Sequence, residues 1–176
     1  MIKAWFANMF SGSPPKQNLG TILDRATNGE ADAQFALGLK FSSGEQPDLP
    51  QAAQWYRKAA LQNHLLAQFN LSIMLARGQG IGQNDTEAAA WLSRAAYAGD
   101  PGAQFQMGNR LSRADLHHSE AEANEAMIEA YKWFQLAGAQ GYKGSVANSE
   151  RITFRMSHHD VSEGNQRVST FVATLA

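Results

Sequence analysis

The apolar positions of this chain follow a helical beat, and that beat itself repeats. Ala33, Leu37, Gly38 and Phe41 fall at helical spacing, and so do Ala67, Leu71, Ser72 and Leu75. Ala33-Gln34-Phe35 returns as Ala67-Gln68-Phe69 and as Ala103-Gln104-Phe105, at spacings of 34 and 36 residues. Trp55, Trp91 and Trp133 keep step, 36 and 42 residues apart. Each is followed by an alanine-rich stretch: Arg57-Lys58-Ala59-Ala60, Ser93-Arg94-Ala95-Ala96 and Gln135-Leu136-Ala137-Gly138. The pattern predicts pairs of short antiparallel helices. An inner helix starts near each Ala-Gln-Phe, and an outer helix is centred on each Trp. One such pair cannot bury its own apolar face, so the units must stack.

Turn residues sit at matching phases. Gly29, Asn63, Gly99 and Gly141 lie eight residues past the Trp phase, which Thr21 holds in the first copy. Gly and Asn accept the left-handed conformation that ends a helix. Between the helices of a pair the chain reads Ser43-Gly44-Glu45-Gln46-Pro47-Asp48, then Gly78-Gln79-Gly80-Ile81-Gly82-Gln83-Asn84. Asp48 and Asn84 suit N-cap positions, and Pro50 suits a first turn. Small residues at Gly38, Ser72 and Gly108 predict close approach of a neighbouring backbone. His64, at a repeat junction, reads as a surface or cap residue.

The pattern Ala-Gln-x-x-Leu-Gly, then Gly-x-Gly-Ile, then Ala-x-x-Trp-x-x-(Arg/Lys)-Ala-Ala-x-x-Gly resembles the Sel1-like repeat family, a relative of the tetratricopeptide repeats. The resemblance runs from about Asn18 to Tyr142. The third copy departs from it, lacking the glycine-rich turn and carrying about six extra residues between Leu111 and Tyr131. The expected fold is all-α: an α-solenoid (right-handed superhelix) of stacked antiparallel helix pairs with N- and C-terminal capping helices. The expected organisation is an amphipathic N-terminal segment and linker (1–16), a repeat domain (17–156) and a C-terminal capping helix (157–176). Within the domain come a half repeat (17–29), repeats at about 30–63, 64–99 and 100–141, and a degenerate unit (142–156). Ser157 with Asp160 makes a capping-box-like start for the last helix. Val161, Val168, Phe171, Val172 and Leu175 form a stripe that can cover the last repeat.

Arrays of this kind resemble tetratricopeptide solenoids, whose inner helices line a concave groove. Carried over by phase, the groove positions are Asp32, Phe35, Ala36, Leu39 and Ser42. The second copy adds Leu66, Phe69, Asn70, Ile73 and Arg77. The third adds Gly102, Phe105, Gln106, Asn109 and Arg113. Phe35, Leu39, Phe69, Ile73 and Phe105 also lie off the stripe that packs the stack, which is unexpected unless something covers them. The expected surface has an aromatic floor, amides and two arginines, and suits an extended segment or helix of a partner with an acidic group at one side. In the competing reading the Phe residues pack between neighbouring repeats or under the C-terminal helix.

Composition narrows the alternatives. The formal net charge is −1, so bulk charge does not suggest a nucleic-acid partner. There is no cysteine, which excludes disulfides, thiolate metal sites and cysteine nucleophiles. A cysteine-free chain fits the cytoplasm, although the periplasm stays open. No window approaches about 18 consecutive apolar residues, so stable membrane insertion is not expected. Ile2, Trp5, Phe6, Met9 and Phe10 form one helical stripe, read as an end cap or a homodimer contact rather than a signal peptide or membrane helix. Asp115, His118 and Glu122 would share a face if the third-copy insertion were helical. His158, His159 and Asp160 form a second small cluster, and Glu122, Glu125 and Glu129 an acidic stripe. Each reads more simply as a solvated face than as a metal or partner site. Gly78 to Gly82 lacks the Gly-Lys-Ser/Thr ending of a phosphate loop. No catalytic constellation stands out and no cofactor is implied. The chain therefore reads as a non-catalytic adaptor for a protein or peptide, with an enzyme subunit or a self-associating module as alternatives.

Overall fold

The computed structural model describes residues 19–113 and 119–174, and every regular element among them is an α-helix. In chain order these are α1 (Leu19–Thr27), α2 (Ala31–Ser42), α3 (Leu49–Leu61), α4 (Leu65–Arg77), α5 (Asp85–Tyr97), α6 (Pro101–Arg113), α7 (Glu120–Ala139), α8 (Ser145–Thr153) and α9 (His158–Thr174). Each helix from α1 to α7 packs on the next, making a solenoid of antiparallel pairs: α2/α3, α4/α5 and α6/α7, with α1 and α8 at the two ends. The N-terminal stripe and the positions 115 and 118 lie outside the described residues.

Local chemistry sets the helix boundaries. Asp48 caps α3 by accepting from Gln51 N, with Pro in its first turn, and Asn84 caps α5 by accepting from Glu87 N. Ser119 and Glu122 form a full capping box at the start of α7. Gly29, Asn63, Gly99 and Gly141 all have positive φ (96°, 64°, 100° and 79°), which turns the chain from each outer helix to the next inner one. Asn63 is the one non-glycine residue with this geometry among the described residues.

The small residues of the inner helices accommodate aromatic rings. A Cβ built on Gly38 would lie 2.5 Å from the Tyr56 ring, and one on Gly108 would lie 2.6 Å from the Phe134 ring. Tyr56 and Phe134 immediately follow Trp55 and Trp133. In two of three repeats, therefore, an outer-helix ring rests on a bare inner-helix backbone. The second repeat has Ser72 and Leu92 at these two positions.

Buried glutamines tie successive helices together. Gln34, Gln68 and Gln104 each donate from Nε2 to a carbonyl eight residues upstream, on Ala26, Ala60 and Ala96, at 3.1–3.2 Å. In the first and third repeats the amide oxygen accepts as well: Gln62 Nε2 donates to Gln34 Oε1 (2.7 Å) and Gln140 Nε2 to Gln104 Oε1 (2.9 Å). Gln62 and Gln140 are the C-caps of α3 and α7. The C-cap of α5 is Ala98, with nearly the same backbone angles, and Gln68 Oε1 is buried without a hydrogen-bond partner. Ala98→Gln is expected to complete the set and raise stability by about 1 kcal/mol. In thermal melts this is an increase of roughly 2–4 °C. An unchanged or lower melting temperature would contradict the account.

The C-terminal helix docks on α7 rather than on α8. Ser157 and Asp160 start it reciprocally, the Asp160 carboxylate accepting from Ser157 N (2.9 Å) and Ser157 Oγ accepting from Asp160 N (3.1 Å). Arg167 pairs with Glu125, Glu129 and Glu163, so Glu125 and Glu129 of the acidic stripe are matched within the chain. Those hydrogen bonds hold the Glu125 carboxyl below its ordinary range. Tyr131 Oη donates to Asn165 (3.0 Å), and the Tyr131 ring lies against Gly164. Phe171 meets Trp133 at 5.5 Å and Tyr97 at 5.9 Å between ring centroids. Val161 and Val168 join the adjoining core clusters, whereas Val172 stays exposed and Leu175 is outside the described residues. The helix thus covers a side of the third repeat rather than the end of the stack.

Candidate functional site

A groove of about 440 Å³ opens to solvent where the second repeat meets the third. Helix α4 contributes Ser72, Ile73, Ala76 and Arg77, helix α5 contributes Asp85, Ala88, Ala89 and Leu92, and helix α6 contributes Gln106 and Arg110. The groove forms at the Ser72–Leu92 position, where the flanking repeats place a ring on a glycine. Its floor is aliphatic and none of its lining residues is aromatic.

Charge in the groove is unbalanced. Asp85 accepts from Gln83 Nε2 at 3.2 Å. Arg77 and Arg110 have no ion-pair or hydrogen-bond partner among the described residues. Three arginines elsewhere are matched: Arg25 by Glu30, Arg57 by Glu87, and Arg94 by the face of Trp91. The Arg57 and Trp91 hydrogen bonds hold the Glu87 carboxyl low.

The phase-derived positions divide into three groups. Ile73, Arg77 and Gln106 line the groove. Leu39, Leu66, Arg113 and Asp32 are exposed elsewhere on the inner helices, Asn70 bonds back to Leu66 O (2.9 Å), and Asn109 accepts from Asn148 Nδ2 of α8 (3.1 Å). Ser42 bonds the Tyr56 hydroxyl, and Ala36 is half-buried. The third group is the aromatic one. Phe35 stacks on His64 (4.4 Å, 26°) and meets Tyr56. Phe69 lies over buried Gly102 of the next repeat. Phe105 meets Phe134 and Tyr142 at 5.7 and 5.1 Å. Each half-buried Phe therefore fills the seam between its own repeat and the next. Residues that phase alone did not select are Ser72, Ala76, Asp85, Ala88, Ala89, Leu92 and Arg110.

The first seam holds a titrating cap. His64 Nδ1 accepts from Ala67 N at 3.2 Å and so starts α4, while Nε2 lies 3.4 Å from Asp32 Oδ1. Burial lowers the His64 pKa below its ordinary value, against the opposing pull of Asp32. A depressed histidine pKa means that the folded state prefers the neutral ring. That contribution is present above the unfolded pKa of about 6.5 and is lost as pH falls through the folded value. Protonation of Nδ1 would also remove the acceptor. The melting temperature is expected to fall as pH is lowered below about 6.5, and His64→Asn, which keeps an acceptor without the titration, should flatten that slope. Identical slopes for the two proteins would rule the device out. Asp100 holds the same place in the second seam. Its side chain is buried and accepts from Ala103 N at 2.7 Å, and burial raises its pKa.

Comparison with known proteins agrees with this geometry. The Sel1 repeat model matches residues 31–64, 65–100 and 101–142. The chain belongs to the Sel1 repeat family. Two curated relatives align with 64% of it: an exopolysaccharide production negative regulator of Rhizobium meliloti (strain 1021), 30% identical over 118 residues, and an uncharacterized protein of Neisseria meningitidis serogroup B, 32% identical over 125. The chain spans only 44% and 26% of those two proteins. Among solved structures, a Sel1 repeat protein from Oxalobacter formigenes superposes with a TM-score of 0.61 at 28% identity, covering 73% of this chain and 95% of that one. A protective antigen of uropathogenic Escherichia coli with this repeat fold superposes with a TM-score of 0.76 at 22% identity, covering 93% of this chain and 35% of that one. Sel1 repeats, like other tetratricopeptide-related folds, generally mediate protein–protein interaction. Among the described residues no group of acidic or histidine side chains could hold a metal ion, and no helix is long and apolar enough to cross a membrane.

Proposed function

We propose that this Sel1 repeat chain is a non-catalytic adaptor that binds an extended segment of a partner protein in the groove of α4, α5 and α6. The observation that carries the proposal is the departure at Ser72–Leu92. Two repeats fill this position with a ring over a glycine, and the second leaves it open as an aliphatic channel beside Ile73, with polar groups at its edges. An aliphatic floor with a polar rim is the usual anatomy of a protein-binding surface. Leu39 and Leu66 are further exposed apolar side chains on the inner helices α2 and α4. The titratable groups in the groove are two arginines and one aspartate, which supply no acid–base pair for catalysis. The relative described as a negative regulator of exopolysaccharide production favours a regulatory role for such an adaptor.

The test copies the filled arrangement into the open repeat. Ser72→Gly/Leu92→Phe should keep the helical spectrum and melting behaviour of the wild type and lose the proteins that the wild type retains in affinity capture from lysate. Equal capture by the filled variant would refute the groove as the binding site.

A further inference from the structure

We propose that the segment bound in this groove is acidic as well as aliphatic, with side-chain carboxylates seated on Arg77 and Arg110. The inference rests on the groove being the binding site and names the chemistry of its occupant.

A guanidinium presents five donors in a planar fork that matches a carboxylate. Arg25 and Arg57 each meet a glutamate, Arg94 lies on a ring, and Arg167 gathers three glutamates. Arg77 and Arg110 line one groove from two different helices, and neither meets a carboxylate of the described chain. When a partner displaces water from the groove, these cations need an anion, because an unpaired desolvated charge is costly. The acid has to come from the partner.

The remaining lining sets where that acid can lie. Asp85 is the one carboxylate in the groove and would repel another, which confines partner carboxylates to the arginine wall. It can instead accept a backbone N–H of an extended segment, and the Gln106 amide can both donate and accept. Ile73, Ala88, Ala89 and Leu92 leave room for an aliphatic side chain. A nucleic acid would find no aromatic face on which to stack a base. The favoured occupant is thus a short stretch of a partner protein in which Asp or Glu stands beside Leu, Ile or Val.

A displayed library of random octapeptides, panned on the full chain, tests this while the natural partner is still unidentified. Selected peptides should be enriched in Asp or Glu next to aliphatic residues. Synthesised with a fluorescein label and measured by anisotropy, they should bind Arg77→Gln/Arg110→Gln at least about tenfold more weakly than the wild type. They should also weaken as salt rises from about 0.05 to 0.5 M. Both substitutions are at exposed helix positions and glutamine is a good helix former, so circular dichroism should be unchanged. Peptides that lack acidic residues, or that bind the double variant as well as the wild type, would overturn the inference. In that case Ser72→Gly/Leu92→Phe separates the two failures. If it abolishes binding, the groove survives with a different occupant. If it leaves binding intact, or if no peptide is selected, the groove itself is not the site.

Discussion

Gly108→Val is expected to destabilise the protein by about 3 kcal/mol, because it drives a branched side chain into a ring that cannot move aside. Even a bare Cβ at Gly108 would stand 2.6 Å from Phe134 Cε1 and 2.7 Å from Cδ1. Phe134 is fully buried, with Phe105 beside it and Tyr131 and Ile152 in the same cluster. Relief therefore requires α6 and α7 to separate. Helix propensity runs the other way, since valine is the better helix former by a few tenths of a kcal/mol, and it loses to the overlap. Melts followed by circular dichroism should show a drop of roughly 6–12 °C. A companion variant identifies the cause. Gly108→Ser/Phe134→Leu installs the pair that the second repeat already uses, and it should recover much of what Gly108→Ser alone loses. Additive losses in that double-mutant cycle would show that the glycine is required for another reason.

That pair also explains how much of the molecule was legible in its sequence. The helix pairs, their phase and their turns could be read directly because they depend on local chemistry repeated three times. A left-handed residue must close each outer helix, and Gly29, Asn63, Gly99 and Gly141 announce it. The small residues at Gly38, Ser72 and Gly108 were visible as well, but what they admit was not, because an aromatic residue on the outer helix is separated from them by a variable loop. The groove residues Leu92 and Arg110 were hidden for a related reason. Phase averages over repeats, whereas the groove arises from one repeat departing from the others. Comparing Tyr56, Leu92 and Phe134 column by column would have exposed it. The acidic stripe misled differently. Glu125 and Glu129 have a solvated pattern, and the partner that matches them, Arg167, lies about forty residues away in sequence on α9.

The aromatic positions lead to the second large effect. An off-stripe Phe on every inner helix suggests a surface waiting for a partner, and on that view Phe69→Glu would abolish binding without touching the fold. The packing predicts the opposite order of events. The Phe69 ring approaches within 3.0 Å of where a Gly102 Cβ would stand, and it joins the cluster of Ala95, Ala96, Ala103 and Trp133. The carboxylate of Asp100, itself buried, comes within 3.3 Å of the same Gly102 position. A glutamate here would lose the ring's packing and bring a second acid toward one whose pKa burial already raises. The expected loss is about 3–5 kcal/mol, combining the removal of a large apolar side chain with a half-buried charge. The loss should shrink as pH falls through the raised pKa values of the two acids, since the protonated pair no longer repels. Phe69→Leu separates shape from charge: it should lose only about 1–2 kcal/mol and show no added pH dependence. A Phe69→Glu protein that melts like the wild type at neutral pH would return Phe69 to the exposed surface and remove the seam from the account of how these repeats stack.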